Sequence, residues 1–507
     1  MTQFDARELP SWLALGSAQG LLALCLSQYL PMDRAVWILL AITPCLFVAP
    51  LCLEQAFAKS QRLLAGLNWS HALWLLLFLS GLVFRSRGVD SIREQPLDAW
   101  AIYRVALVGV SFLLVAGWLF RADIAPRVLV RGIIALLAVY ALVCVASSLW
   151  SAQPAWTFYK SAEYLTQVLV LALFVWTAAS TRTYKVLLDF TWTLYAVLLG
   201  SVWAGVLIWP QLAIRREAGV GVIGFALNGV FPAVGWNTVG EVSAIISIVC
   251  LTRLLFRPNG RARGVVYGVG AAAGMLTLIL SSSRSSIAGL VLGCAAVLFA
   301  ARRTRALLAL ATLALLIGLQ TSAGDLAMRY FMRGQNDQAF YSLSGRVPLW
   351  EHGLEQLSER PLTGFGAYAG GRFVTLAGFN SGTRAGSSTV LNTYLEVLLG
   401  TSIWGLIPLL AACLWTWRVL LRAARQTGAN RLLESQLALE AIGVLGVLAA
   451  RSWFTVKFVW HPALLFLAVV GCAEFLRRKS LEPSAPMKWN PGRAAKGNSG
   501  RNSEPQA

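Results

Sequence analysis

Charge is scarce in this chain. Of its 507 residues only 13% are Asp, Glu, Lys or Arg, and 23 are acidic. Against 57% hydrophobic residues, that shortage excludes an ordinary soluble enzyme of this length and fits a chain that crosses a membrane many times. Histidine is rarer still: His71, His352 and His461 lie far apart, and no Cys/His spacing resembles a metal site. The eight cysteines, at 25, 45, 52, 144, 250, 294, 413 and 472, all fall inside apolar runs. None sits in a long polar loop, so no disulfide framework is expected and they read as small buried hydrophobes. Short alternating segments, which a membrane β-barrel needs, are missing, as is any periodic repeat. The start, "MTQFDARELPSW", has mixed charge and does not read as a cleavable signal peptide, so the first apolar run is expected to be retained.

What the chain does have is continuous apolar runs of about 20 residues, the length that spans a bilayer as a helix. We expect an all-α, polytopic membrane helix bundle of about fourteen spans. They lie near 11–30, 35–53, 69–84, 104–120, 130–148, 164–180, 185–209, 239–256, 264–282, 286–301, 304–321, 392–418, 435–453 and 460–476. The net charge of +20 then reports loops rich in Arg and Lys on the cytoplasmic side, and nucleic acid is not an expected partner. Segments 58–62, 121–127, 182–185, 257–263, 301–305 and 418–425 share that side, as does the tail from Arg477. Both termini are therefore expected to be cytoplasmic. Segment 85–104 runs against the rule, carrying several Arg residues on the outer side.

The outer side receives the two longest internal loops, 210–238 and 322–391. In the second, 346–360 is expected to form a helix with Leu349, Trp350, Gly353, Leu354 and Leu357 on one stripe, ended by Arg360-Pro361 and lying at the membrane surface. Glycine is dense from 364 to 371, where the backbone can turn tightly or approach a ligand. Residues 477–507, rich in Pro, Gly, Ser and basic residues, are expected to form a disordered cytoplasmic tail.

Four stretches place polar groups at the outer ends of spans. In "LILSSSRSSIAGL", 278–290, Arg284 sits among serines that can satisfy it or help hold an anion; the alternative is a plain turn with a snorkelling Arg. Arg346 in "SGRVPLW" offers a planar fork suited to phosphate, or merely starts a solvated helix. In 214–244, Arg215 and Arg216 can face phosphate or solvent, while Asn237 and Glu241 stand just inside a span. In "SSTVLNTYLEVLLGTSIWGLI", 387–407, Asn392 and Glu396 share one helix face beside Tyr394, and Asn392 can equally cap the helix.

The order of these features resembles the O-antigen ligase and polymerase superfamily of Wzy-type membrane proteins, including exopolysaccharide polymerases. The resemblance rests on a Ser-Ser-Arg-Ser turn, a long outer loop with "GR…W…P…GFG", and an Asn/Tyr/Leu/Glu helix after it. "WNTVGEVSA", 236–244, is similar to that family's Asn-x-x-Gly helix start. It covers about 230–410 by motif. It implies a GT-C-like bundle with N-terminal helices 1–209, a ligase/polymerase-like core 210–476 with periplasmic loop 322–391, and the tail. It also implies cofactor-free, metal-independent glycosyl transfer at the periplasmic face of the bacterial inner membrane. The donor would be a polyprenyl-pyrophosphate-linked oligosaccharide and the acceptor a growing glycan; membrane lipid and a chain-length regulator are further implied partners.

Carried over residue by residue, Arg284 and Arg346 become catalytic candidates that stabilise the leaving group, with Glu396 as a candidate base. Arg215, Arg216, Asn237, Glu241, Trp350, Arg372, Asn392 and Tyr394 become substrate-binding candidates. Three departures stand out. The histidine that often precedes the Asn is Leu391, the glycine six residues after the Glu is Ser402, and "FALNGVF" lacks the arginine often found before Asn-x-x-Gly. General base help is open among Glu396, Glu241, Asp337 and Glu351, or is little needed. The missing histidine favours a polymerase over an O-antigen ligase. A transporter or flippase is the reading from another class, against which stands the lack of duplicated halves.

Overall fold

The computed structural model describes residues 67, 69–82, 99–121, 129–216, 223–256, 261–319, 321–332, 334–379, 389–426 and 431–481. Helix dominates them. In chain order the longer helices are α1 (Trp69–Leu82), α2 (Ala99–Arg121), α3 (Gly132–Ala146), α4 (Pro154–Thr177), α5 (Thr181–Ile208), α6 (Trp236–Phe256) and α7 (Arg261–Leu280). Then follow α8 (Arg284–Ala300), α9 (Thr304–Leu319), α10 (Thr321–Met332), α11 (Arg346–Glu359), α12 (Thr393–Ala424), α13 (Leu432–Ser452) and α14 (Leu464–Leu481). Eight of these, α2 to α7 with α12 and α13, are long and apolar enough to cross a membrane, and α1 and α8 are shorter apolar helices. The protein is a polytopic membrane helix bundle.

The expected spans 11–30 and 35–53 lie outside the described residues; the remaining twelve coincide with helices. One begins ten residues earlier than expected. α4 starts at Pro154 rather than near 164, and the charges in its first turns are paired: Glu163, fully buried, takes Lys160 at 2.8 Å and Arg104 of α2 at 2.7 Å. The same pairing neutralises Arg104, one of the arginines that ran against the charge rule. At the other end of the chain α14 continues to Leu481, past the boundary expected at 477, with Arg477 paired to Glu474 and Lys479 to Glu434.

α13 and α14 form the centre, their faces buried almost throughout. α8 lies against α13 at backbone contact. A Cβ on Gly293 would stand 2.8 Å from the Gly443 carbonyl oxygen, and one on Gly446 2.9 Å from the Gly293 Cα. Small residues at such a seam let two membrane helices approach closely, where tail-like apolar side chains give no net attraction.

The segments expected on the outer side do meet one another. Ala152 donates to the Phe365 carbonyl at 2.9 Å, Trp150 to that of Thr363 at 3.0 Å, and Lys457 N–H to Thr393 at 3.1 Å. The opposite end gathers Thr181, Glu434 and Lys479, and a buried triad in which Arg253 binds Glu440 and Asp189.

The described residues of the loop 322–391 are mostly helical, and the loop starts within α10. α11 forms as expected and stops at Arg360, but its buried stripe is narrower than expected. Leu349 and Gly353 are buried, and Trp350 and Leu357 pack on Val390, Leu395 and Leu399, while Leu354 is 54% exposed. Leu354 lies one position past Gly353, about 100° around the helix and off the contact line. The only strands among the described residues are a two-residue ribbon pairing Ile214 with Leu227 and Arg215 with Ala226.

Candidate functional site

A cleft of about 490 Å³ opens where α6, α8, α11 and the 331–345 segment converge. Arg284 and Arg346 both line it, separated by 62 positions in sequence, together with Asn237, Ser285 and a largely aromatic wall of Trp236, Phe340 and Phe454. Arg284 is the first residue of α8, where the helix end already favours an anion. Its guanidinium donates to the Phe331 carbonyl at 2.8 Å, to Gln335 at 3.1 Å and to the Ser344 hydroxyl at 2.7 Å, and lies over the Phe340 ring. Neutral acceptors hold it without cancelling its charge.

Arg346 is the first residue of α11 and lies over Phe454 at 5.9 Å. Leu343, Ser344 and Gly345 immediately before it all have positive φ, of 52°, 61° and 73°. Such a run costs the non-glycine residues roughly 1–2 kcal/mol each. Here it turns the chain so that Ser344 reaches Arg284 while Arg346 enters the same cleft.

The serines around Arg284 do not serve it, contrary to one of the expected roles. They hold a different arginine. Arg451, 1% exposed at the end of α13, donates to Ser283 and Ser285 at 3.3 Å and to Ser286. Arg451 also meets Glu241 at 3.2 Å, and Lys457 pairs with the same carboxylate oxygen. Glu241 therefore sits beneath the cleft and does not line it. Asn237 links the two levels: it lines the cleft and accepts from Ser283 at 3.3 Å. A Cβ on Gly240 would stand 2.7 Å from Ser281 Oγ, so the turn packs on α6 only because that position has no side chain.

Arg215 lies on the ribbon over the Trp236 ring at 4.7 Å, behind the cleft wall, and Arg216 beside it is exposed. The remaining candidates lie elsewhere. Asn392 caps α12, accepting from the N–H groups of Tyr394 and Leu395 at 2.9 and 3.1 Å. The Val390 peptide is clamped on both sides, its N–H by Glu396 at 3.0 Å and its carbonyl by Trp350 Nε1 at 3.0 Å. Arg372, buried, stacks on Trp156 at 5.0 Å. Tyr394 packs on Trp453, which is exposed.

Trp350, Asn392 and Glu396 thus dock α11 and the glycine-rich stretch onto the mouth of α12. Glu396 does not reach the arginines' cleft. The fit is tight: a Cβ on Gly371 would lie 2.5 Å from Glu396 Oε2. Gly371→Ala is therefore expected to destabilise the protein by about 1–3 kcal/mol, measured as a lower Tm in detergent. Two of the departures from the family pattern fall on unusual backbone. Leu391 has φ of 58°, and Ser402 has φ of 53° inside α12, a conformation that glycine adopts freely.

No carboxylate or histidine lines the cleft among the described residues. Asp337 and Glu351 are exposed on the loop helices. His461 is buried against Ser80 at 2.7 Å. His71 is packed edge-on between Phe174 and Phe190, and His352 lies against Phe379.

Residues 269–410 match the family described as O-antigen ligase. This stretch is similar to an O-antigen ligase domain. Among curated proteins none matches the chain. The matched stretch contains Arg284, Arg346, Trp350, Arg372, Asn392, Tyr394 and Glu396, and hence both cleft arginines. The groups beneath the cleft, Glu241, Arg451 and Lys457, come from outside it. The sequence reading missed Arg451 and Lys457, although an arginine ending a 20-residue apolar run and a lysine six residues on were visible signals.

Proposed function

We propose that the protein is a polysaccharide polymerase, joining oligosaccharide repeat units carried on polyprenyl pyrophosphate at the periplasmic face of the inner membrane. Both termini would then be cytoplasmic. The observation that carries this reading is the convergence of Arg284 and Arg346 on one aromatic-walled cleft at the end of the bundle where the outer loops meet. An acceptor sugar hydroxyl attacks the anomeric carbon of the donor. The new glycosidic C–O bond forms as the bond to pyrophosphate breaks, its electron pair passing to the phosphate oxygen and the hydroxyl proton to solvent. The two guanidiniums face the charge that grows on the leaving group, in a site partly shielded from water. Among the described residues no acid or histidine lines the cleft, and in this reading charge stabilisation on the donor side supplies most of the catalysis.

An O-antigen ligase would use the same donor chemistry with a lipid A core acceptor. Deleting the gene separates the two. Loss of a polymerase leaves single repeat units on carrier or core; loss of a ligase leaves long chains on the lipid carrier. In the polymerase, Arg346→Ala is expected to shorten or abolish polymer, lowering transfer by about 100-fold at unchanged protein level. Full-length polymer from that variant would remove Arg346 from the mechanism.

A further inference from the structure

The cleft has a second level of charge that the reaction as drawn does not use. Glu241, Arg451 and Lys457 come from α6, the end of α13 and the segment that follows it. They form one cluster behind the floor made by Asn237, Ser285 and Phe454. Arg451 is 1% exposed, and the side chains of Glu241 and Lys457 are 7% and 19% exposed. Two cations thus share one carboxylate in a poorly solvated place. Tyr195, which also feels Glu241, brings a phenol and no second acid. Holding Lys457 there is costly, since burial lowers its pKa while Glu241 opposes that fall.

One hydroxyl separates this cluster from the cleft. Arg451 donates to Ser285, which lines the cleft beside Arg284, and to Ser283, which donates to Asn237. The Lys457 backbone N–H is tied to Thr393, the first residue of α12, at 3.1 Å. A cation excess fixed this way acts on the cleft through little water, where charges interact more strongly than at an exposed surface.

We propose that Arg451 and Lys457 are positioning residues for the anionic donor: Arg451 fixes the serine turn that carries Arg284, and the cluster's net positive charge raises the cleft's affinity for the pyrophosphate group. The proposal rests on the reading of the cleft as an anion site, and goes beyond it by assigning affinity to charges that never touch the ligand.

The test uses purified full-length protein in detergent and geranylgeranyl pyrophosphate as probe, with binding read by calorimetry. Lys457→Met and Lys457→Gln leave the Glu241–Arg451 pair balanced. They are expected to weaken binding about tenfold at low salt, with Lys457→Arg close to wild type and Tm not lowered. In turnover, KM for the lipid-linked donor rises while kcat holds. Wild-type affinity in both neutral variants overturns the proposal, as does weakened binding that tracks a fall in Tm. Arg284→Ala is measured in parallel. If it loses binding while the Lys457 variants do not, only the proposal fails; if it too binds as wild type, the reading of the cleft fails as well.

Discussion

Arg284→Ala is expected to lower glycan transfer by about 100- to 1,000-fold, the loss found when a preorganised donor is removed from a developing negative charge. The geometry explains why the effect should exceed that of removing an ordinary surface arginine. Arg284 stands at the first turn of α8, with its guanidinium fixed by the Phe331 carbonyl, Gln335 and Ser344. These partners are neutral, so the full positive charge stays available to a ligand, while its orientation costs nothing further when the ligand arrives. The same bonds hold the 331–344 segment against the bundle, so the variant also loosens the turn that delivers Arg346. Arg284→Lys restores charge without the planar fork and is expected to recover only part of the rate. The measurement is release of polyprenyl pyrophosphate from a lipid-linked donor by protein in liposomes, paired with polymer length in cells and membrane protein level. Normal rates in Arg284→Ala would remove this residue from the site.

The second large effect concerns stability. Glu163 is fully buried and accepts from Arg104 at 2.7 and 3.0 Å, from Lys160 at 2.8 Å and from the Tyr159 phenol. Lys160 in turn lies over the rings of Trp156, Tyr159 and Trp460. Glu163→Ala strands two cations among apolar walls. Breaking a buried pair from one side costs about 3–5 kcal/mol, because the remaining charge keeps its desolvation penalty and loses its partner. The expected result is a Tm lower by on the order of 10 °C and little protein in the membrane. Glu434→Gln is the control. Its partner Lys479 is 43% exposed, and such a pair contributes about 0–1 kcal/mol. Equal Tm shifts for the two variants would show that burial does not set the cost of losing these acids.

Much of the architecture was legible because bilayer-spanning helices announce themselves by length and apolarity, and α6 to α9, α12 and α13 begin within a few residues of their expected positions. Two misses involve charged residues whose partners lie on other helices. Glu163, in the first turns of α4, pairs with Arg104 of α2, and Arg451 passed unnoticed although three serines of the turn at 283–286 are spent on it. At the mouth of α12, Asn392 takes the cap that was one of its two expected roles, and Glu396 holds the Val390 N–H.

The sequence by itself determined that this chain is a many-helix membrane protein and where its long loops fall between the helices. Those properties depend on local composition, and local composition is what a bilayer sorts. Which arginines share a cleft, and which carboxylates instead lie beneath or beside it, was decided only by the tertiary structure. Arg284 and Arg346 are brought together by the left-handed turn at 343–345, whose Ser344 bonds Arg284, and Glu241 is held away from them by Arg451 and Lys457. Such pairings depend on contacts between distant segments, and those exist only once the helices have packed.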